Sequence, residues 1–212
     1  MKCNKPDFLN LDLSFKKKGD EALPELPDSL TDYITGREIP FSNKDNIRQR
    51  VLKFLVEEKG YLNDDISTDG EIGFVIEGTD ICSPVDISIR LHNKTLMVWK
   101  CASGSLVSRE RQIIATARLL EDYFVPFAVV TNGKDLELLD SSSEKVIGEG
   151  FDSVPSRQEL LIISEGLFFD STKRKKIMKE ERILFTYDAF CCPLGSRVNL
   201  DPLHGPRQKK SS

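Results

Sequence analysis

Asp86 and Lys100 are the two residues of this 212-residue chain whose types and surroundings first suggest chemistry. Each interrupts an apolar run within PVDISIRLHNKTLMVWKCAS (84–103), where the polar tip at 92–94 predicts a hairpin turn. Aspartate is disfavoured in strands and lysine is costly to bury, so both residues need a reason to be there. On adjacent strands, the carboxylate can bind a divalent cation while the ammonium offsets charge in a phosphodiester transition state.

A simpler interpretation makes the same two residues an ion pair at the end of a hairpin. Lys100 would then extend its stem towards solvent and Asp86 would end its strand. Spacing alone favours this interpretation, because residues 87–99 are enough for two strands and a turn. The apolar and small neighbours of Lys100 favour the functional one, since a surface lysine is not expected among them.

The elements that must position this hairpin follow from hydrophobic periodicity and from turn and capping residues. They are a helix at 43–59, strands at 71–77, 85–91 and 95–102, a helix at 108–123, strands at 127–131 and 136–139, and helices at 155–166 and 171–190. The predicted organisation is an extended N-terminal arm at 1–42, a domain at 43–150, a helical extension at 151–192 and a flexible tail at 193–212.

Composition restricts the classes of function. With 39% hydrophobic and 30% charged residues, no bilayer-length apolar run and no apolar signal segment, we expect a cytoplasmic protein that does not enter a membrane. A net charge of −4 argues against salt-driven nucleic-acid binding by the whole surface, although a local basic face stays compatible with it. With two histidines and no Cys-x-x-Cys pair, the chain offers few ligands for a zinc site.

Four segments carry a resemblance to a known family. They are RQRVLKFLVEEKGY (48–61), VDI (85–87), the strand at 96–102 and VVTNG (129–133). In order and spacing they resemble the PD-(D/E)XK nuclease core, and more narrowly the N-terminal nuclease domain of type I restriction enzyme R (motor) subunits, over roughly 44–140. The resemblance implies an α/β, restriction-endonuclease-like αβββαβ core with a mixed sheet flanked by helices. No Walker A motif follows, so we expect a stand-alone relative that does not bind ATP.

The family's third strand carries Glu-x-Lys, and this chain departs from that motif. If Lys100 is the family lysine, Val98 stands at the glutamate position. If Ala102 is instead aligned with the alanine of the family's Glu-Cys-Lys-Ala, Trp99 and Cys101 replace both functional residues. We prefer the first alignment because it keeps the lysine on the expected strand, but the in-strand acid is missing in both.

Another acid would have to replace the missing glutamate. Glu71 at the start of the first strand and Glu110 at the start of the following helix are the leading candidates. Glu57 and Glu58 are further options, and each of the four has a plain alternative as a solvated or helix-end charge. The resemblance then implies that Mg²⁺ or Mn²⁺ is held by Asp86, Glu71 and the Trp99 carbonyl. Lys100 would act on water and phosphate, making Asp86, Lys100, Glu71 and Glu110 the catalytic candidates.

DNA contacts are expected from the start of the second helix. Arg109 and Arg111 are placed to face phosphate or, more simply, to cover the helix start. Gln112 echoes a family Gln-x-x-x-Tyr motif, although residue 116 is threonine.

Three functions remain open at this stage. The leading hypothesis is metal-dependent DNA cleavage, or DNA binding, by a domain of the R-subunit N-terminal type. The alternative is a catalytically inactive nuclease fold kept as a binding or assembly module with a protein partner, since one aspartate supplies little charge for a hard cation. An unrelated α+β protein with a hairpin ion pair would leave the family-like order of elements unexplained.

Overall fold

The computed structural model describes residues 27–68, 70–167, 169 and 177–188. The predicted tail at 193–212, residues 1–26 of the predicted arm and parts of the helix predicted at 171–190 lie outside these ranges. No helix within the described ranges combines the length and apolar character needed to cross a bilayer.

The strands of the described residues are, in chain order, β1 (Ser29–Thr31), β2 (Glu38–Pro40), β3 (Ile66–Ser67), β4 (Gly70–Ile76), β5 (Thr79–Val85), β6 (Ile87–Leu91), β7 (Lys94–Cys101), β8 (Phe127–Thr131), β9 (Leu136–Asp140) and β10 (Lys145–Glu149). The α-helices are α1 (Asn43–Glu57), α2 (Val107–Leu119), α3 (Arg157–Glu165) and α4 (Ile177–Asp188).

A six-stranded mixed sheet in the order β10-β9-β8-β7-β6-β3 forms the centre of the fold. β7 and β8 run parallel, connected by α2, and the other neighbouring pairs are antiparallel. Helices cover both faces of this sheet. The structure confirms the predicted α/β class and a core consistent with a restriction-endonuclease-like arrangement.

The first predicted strands differ from the structure in two ways that matter for the site. β4 and β5 form a separate two-stranded sheet, so the strand that carries Glu71 is not part of the central sheet. The strand predicted at 85–91 is divided, because Asp86 is the single residue between β5 and β6. The chain therefore passes from the separate sheet into the central sheet at Asp86. Within the predicted arm, β1 and β2 pair as a short hairpin.

Alternation along β7 divides its side chains between two apolar layers. Trp99 and Cys101 belong to the layer covered by α1, together with Leu52 and Leu55 of that helix. Val98 belongs to the layer covered by α2, together with Ile113. Lys100 lies two residues after Val98 and so projects towards the α2 face.

Two buried polar clusters fasten α4 to α2. The Arg118 guanidinium, with a fully buried side chain, contacts the Glu180 carboxylate at 2.9 Å and the Glu144 carboxylate at 2.6 Å. Near the other end of α4, Asp188 accepts hydrogen bonds from Gln112 at 2.8 Å and from the Ser83 hydroxyl at 2.6 Å. Because buried charges are tolerated only when paired, these contacts specify where α4 docks.

The Glu144 carboxylate makes stability depend on pH at the acid end. The hydrogen bond from Arg118 is the main reason that the pKa of Glu144 lies below its ordinary value. A depressed carboxyl pKa stabilises the fold above the ordinary, unfolded value, and that contribution is lost as the pH falls through the lowered pKa. We expect Glu144→Gln to be destabilising at pH 7 and the two unfolding free energies to converge under acid conditions. Urea denaturation between pH 7 and pH 3 measures this, and a constant difference across that range would contradict it.

Candidate functional site

The β6–β7 hairpin brings Asp86 and Lys100 together. Ile87 pairs with Trp99, which places Asp86 opposite Lys100 one residue further along. Lys100 Nζ lies 3.7 Å from Asp86 Oδ1, and the two residues are only 8% and 2% exposed. The pairing shifts by one residue between Ile89 and Arg90, so the turn at 92–93 and this irregularity together produce an almost buried ion pair.

A second lysine, which the sequence patterns did not identify, reaches the same carboxylate. Lys44 Nζ lies 2.5 Å from Asp86 Oδ1, and 40% of the Lys44 side chain remains exposed. Lys44 is in the first turn of α1, whose start is capped by the Ser42 hydroxyl accepting the Asp45 N–H. The capping residues predict where this helix begins in the sequence, but not that its first turn lies against Asp86.

Close packing of α1 on the β8–β9 turn holds Lys44 at this edge of the sheet. Gly133 adopts φ +85°, and a Cβ there would stand 3.3 Å from the Ile47 side chain. The Arg50 guanidinium also donates to the Gly133 carbonyl at 3.4 Å. A glycine at this position therefore allows the first turns of α1 to approach the strand ends.

The other oxygen of Asp86 is used by the backbone. Asp86 Oδ2 accepts the Cys101 N–H at 2.8 Å, a buried hydrogen bond that ties the bend after β5 to the end of β7. Oδ1 makes no hydrogen bond of good geometry within the described residues, so its charge is balanced by the two ammonium groups. Burial, followed by the charge of Asp86, raises the pKa of the Cys101 thiol, which keeps it protonated.

The two leading candidates for the missing acid lie on other elements. Glu71 is exposed on β4, where its carboxylate accepts from the Cys82 thiol at 2.9 Å. Glu110 on α2 lies near Glu137 of β9: burial first, and then the charge of Glu110, raises the pKa of Glu137. Within the described residues, no hydrogen bond or ion pair joins Glu71 or Glu110 to Asp86 or Lys100.

Glu57 and Glu58 lie at the far end of α1. Glu57 is thirteen residues from Lys44, which corresponds to about 20 Å along the helix. It interacts there with Lys53 and Tyr33. Neither glutamate is positioned to share a cation with Asp86.

The residues predicted at the third strand are buried. Val98 and Trp99 are both 0% exposed in β7, the central strand between β6 and β8. At the family's glutamate position the chain therefore places an apolar side chain packed against α2.

The residues predicted to contact DNA are engaged within the protein. Gln112 is 1% exposed and donates to Asp188. Arg109 donates to the Gln112 side chain at 3.2 Å and lies over the Tyr187 ring, and Arg111 forms an ion pair with Glu144. These contacts hold α2 to α4 and to the β9–β10 turn. The sequence around Gln112 does not predict the contacts with α4, because α4 is far away along the chain.

The metal implied by the family resemblance does not fit the donors around Asp86. A hard divalent cation requires several oxygen ligands, whereas Asp86 Oδ1 faces two ammonium groups and Oδ2 accepts a backbone N–H. In the described part of the chain, no three His, Cys, Asp or Glu side chains form a group suited to a metal ion. The site is an ion cluster of Lys44, Asp86 and Lys100.

Comparison with known proteins places this chain in a family. Residues 43–155 match the model of the type I restriction enzyme R protein N terminus. No curated protein and no solved structure shows a significant match to the chain. The matched segment contains α1, the central sheet, α2 and the Lys44–Asp86–Lys100 cluster, and it covers more than half of the 212 residues. The chain belongs to the family of type I restriction enzyme R protein N termini.

Proposed function

We propose that this domain binds DNA through backbone phosphates and does not hydrolyse them. The observation that carries the proposal is the sharing of one carboxylate, Asp86, by the ammonium groups of Lys44 and Lys100. The family connects the chain with restriction-modification and with a nuclease-like fold. The ion cluster supports phosphate binding by that fold and disfavours metal-dependent cleavage.

The charges at the cluster suit a phosphate group. Two ammonium groups against one carboxylate leave a local charge of +1, in a protein whose overall charge is −4. Lys44 is the accessible member, because 40% of its side chain is exposed. The N-terminus of α1 adds partial positive charge at the same edge.

The surface beside the cluster permits close approach of a nucleic-acid backbone. The loop after β7 contains Ser103, Gly104 and Ser105, which are all small and exposed. Asn132 donates to the Gly104 carbonyl at 3.2 Å and so holds this loop next to the β8–β9 turn. Contacts to backbone phosphates carry no base information, so we expect binding at this surface that does not depend on the DNA sequence.

Titration of a labelled DNA duplex, followed by fluorescence anisotropy at several salt concentrations, tests this proposal. We expect Lys44→Ala to weaken binding and to reduce the slope of log K against log salt by about 1, as for one lost phosphate contact. Lys53→Ala is the matched control: it removes the same charge from the same helix, at a residue 59% exposed and about 14 Å along the axis. Its slope should stay at the wild-type value.

Incubation of supercoiled plasmid with Mg²⁺ or Mn²⁺ distinguishes binding from cleavage. We expect no nicking by the wild-type protein. Nicking that disappears in Asp86→Asn would overturn the proposal in favour of hydrolysis. Absence of any DNA binding by folded protein would overturn it in favour of a module that binds another protein.

A further inference from the structure

We infer that the ammonium group of Lys44 takes the position of a divalent cation at Asp86, so that a carboxylate at residue 44 would create a metal site. The inference rests on the proposed function in one respect, namely that the wild-type cluster works without a metal. It goes beyond that function because it assigns one residue, on α1 and outside the Glu-x-Lys motif, as the determinant of which cation Asp86 receives.

The distance between Lys44 and Asp86 is the first support. Lys44 Nζ is 2.5 Å from Asp86 Oδ1, close to the separation of ~2.1 Å at which small divalent cations bind carboxylate oxygens. Lys100, the family lysine, is further away at 3.7 Å and approaches from β7. The nearer positive charge therefore comes from the helix and lies where a bound ion would contact Oδ1.

Burial is the second support. The Asp86 side chain is 1% exposed, so its charge requires compensation within the protein. Lys44 supplies that compensation through a side chain whose stem enters from the surface and remains 40% exposed. A metal ion approaching Asp86 Oδ1 would meet the charges of Lys44 and Lys100 beside that oxygen and would be repelled by them.

The geometry also specifies the substitution that should reverse the arrangement. A glutamate oxygen ends about one bond, roughly 1.5 Å, short of the lysine Nζ position. In Lys44→Glu, an oxygen in line with the lysine would stand about 4 Å from Asp86 Oδ1, given the 2.5 Å contact, and one cation with ~2.1 Å ligand distances spans that gap. The variant would place two carboxylates where the wild-type protein has a carboxylate and an ammonium group.

The inference can be tested with metal ions alone, without DNA. We expect Mn²⁺ to raise the melting temperature of Lys44→Glu by about 5–11 °C when its concentration exceeds Kd by about 100-fold. The wild-type protein and the control Lys53→Glu should show no comparable rise. In Lys44→Glu combined with Asp86→Asn, the rise at the same Mn²⁺ concentration should be much smaller, because a neutral amide replaces one of the two carboxylates.

Paramagnetic broadening gives a readout specific to the site. The Cys101 amide donates to Asp86 Oδ2, so Mn²⁺ at Asp86 should broaden the Cys101 amide resonance in Lys44→Glu and leave it sharp in the wild type. If Lys44→Glu does not fold without metal, Lys44→Gln places a neutral amide oxygen at the same reach and should give the same broadening at higher Mn²⁺ concentration.

Two results would overturn the inference. One is Mn²⁺ broadening of the Cys101 amide in the wild-type protein at the concentration that affects Lys44→Glu. The other is a folded Lys44→Glu protein in which Mn²⁺ has no more effect than in Lys53→Glu. If Lys44→Glu does not fold, the same result in Lys44→Gln would overturn the inference. Neither result depends on DNA binding, so failure here is distinguishable from failure of the anisotropy experiment.

Discussion

Asp86→Ala is expected to lower the free energy of unfolding by about 3–5 kcal/mol, the cost of removing one partner of a buried ion pair. Lys100 would remain 8% exposed without its carboxylate, and the Cys101 N–H would lose its acceptor. Urea denaturation of the two proteins measures the difference. The same variant tests the interpretation of Asp86 and Lys100 as an ion pair at the end of a hairpin, which predicts only a small loss of stability. At 2% exposure, Asp86 is instead part of the folded interior.

Two comparisons make the Asp86 prediction specific. Lys100→Met should cost less than about 1.5 kcal/mol, because Lys44 still balances Asp86 and a methionine of similar shape suits the apolar surroundings. Combined with Asp86→Ala, the methionine should recover part of the loss, since the uncompensated Lys100 charge is then absent. A loss in Asp86→Ala no greater than in Glu71→Ala, at an exposed carboxylate, would contradict the argument.

Arg118→Ala is the second variant for which we expect a large effect. It should lower the free energy of unfolding by about 3–5 kcal/mol. The Arg118 side chain is 0% exposed, and its Nε and Nη2 donate to the Ser141 and Ser142 carbonyls at 2.8 and 3.2 Å. Its removal would leave the Glu180 carboxylate, with a side chain 1% exposed, unpaired between α2 and α4. Chemical denaturation measures the total loss. Hydrogen exchange should locate the greatest loss of protection in α4.

Arg111→Ala is the matched control for Arg118. Both arginines are on α2 and both pair with Glu144, but the Arg111 side chain is 40% exposed. An exposed ion pair contributes little because water and salt already screen it, so we expect a cost below about 1 kcal/mol. Equal losses in the two variants would mean that the ion pairs of α2 with Glu144 of the β9–β10 turn, rather than the buried pair with Glu180 of α4, account for the effect.

The sequence by itself determined the local elements and the partnership at the hairpin. Helical periodicity after Ser42 predicted α1, and the apolar run at 127–131 predicted β8. The polar tip between two apolar runs predicted the hairpin that joins Asp86 to Lys100, apart from the register shift at Ile89–Arg90. These features are readable because helix and strand periods and turn residues act over a few neighbouring positions. The family resemblance followed from the order of the same elements.

The tertiary structure decided what surrounds Asp86 and what α2 contacts. Lys44 precedes Asp86 by 42 residues, and Asp188 follows Gln112 by 76, so no local pattern indicates either contact. The sequence-based site assigned Glu71 and Gln112 to chemistry at this edge, whereas β4 lies in a separate sheet and α4 buries Gln112. Such contacts depend on how whole elements pack, because a buried charge takes whichever partner the fold brings within reach. Only that packing shows a carboxylate already balanced by two lysines.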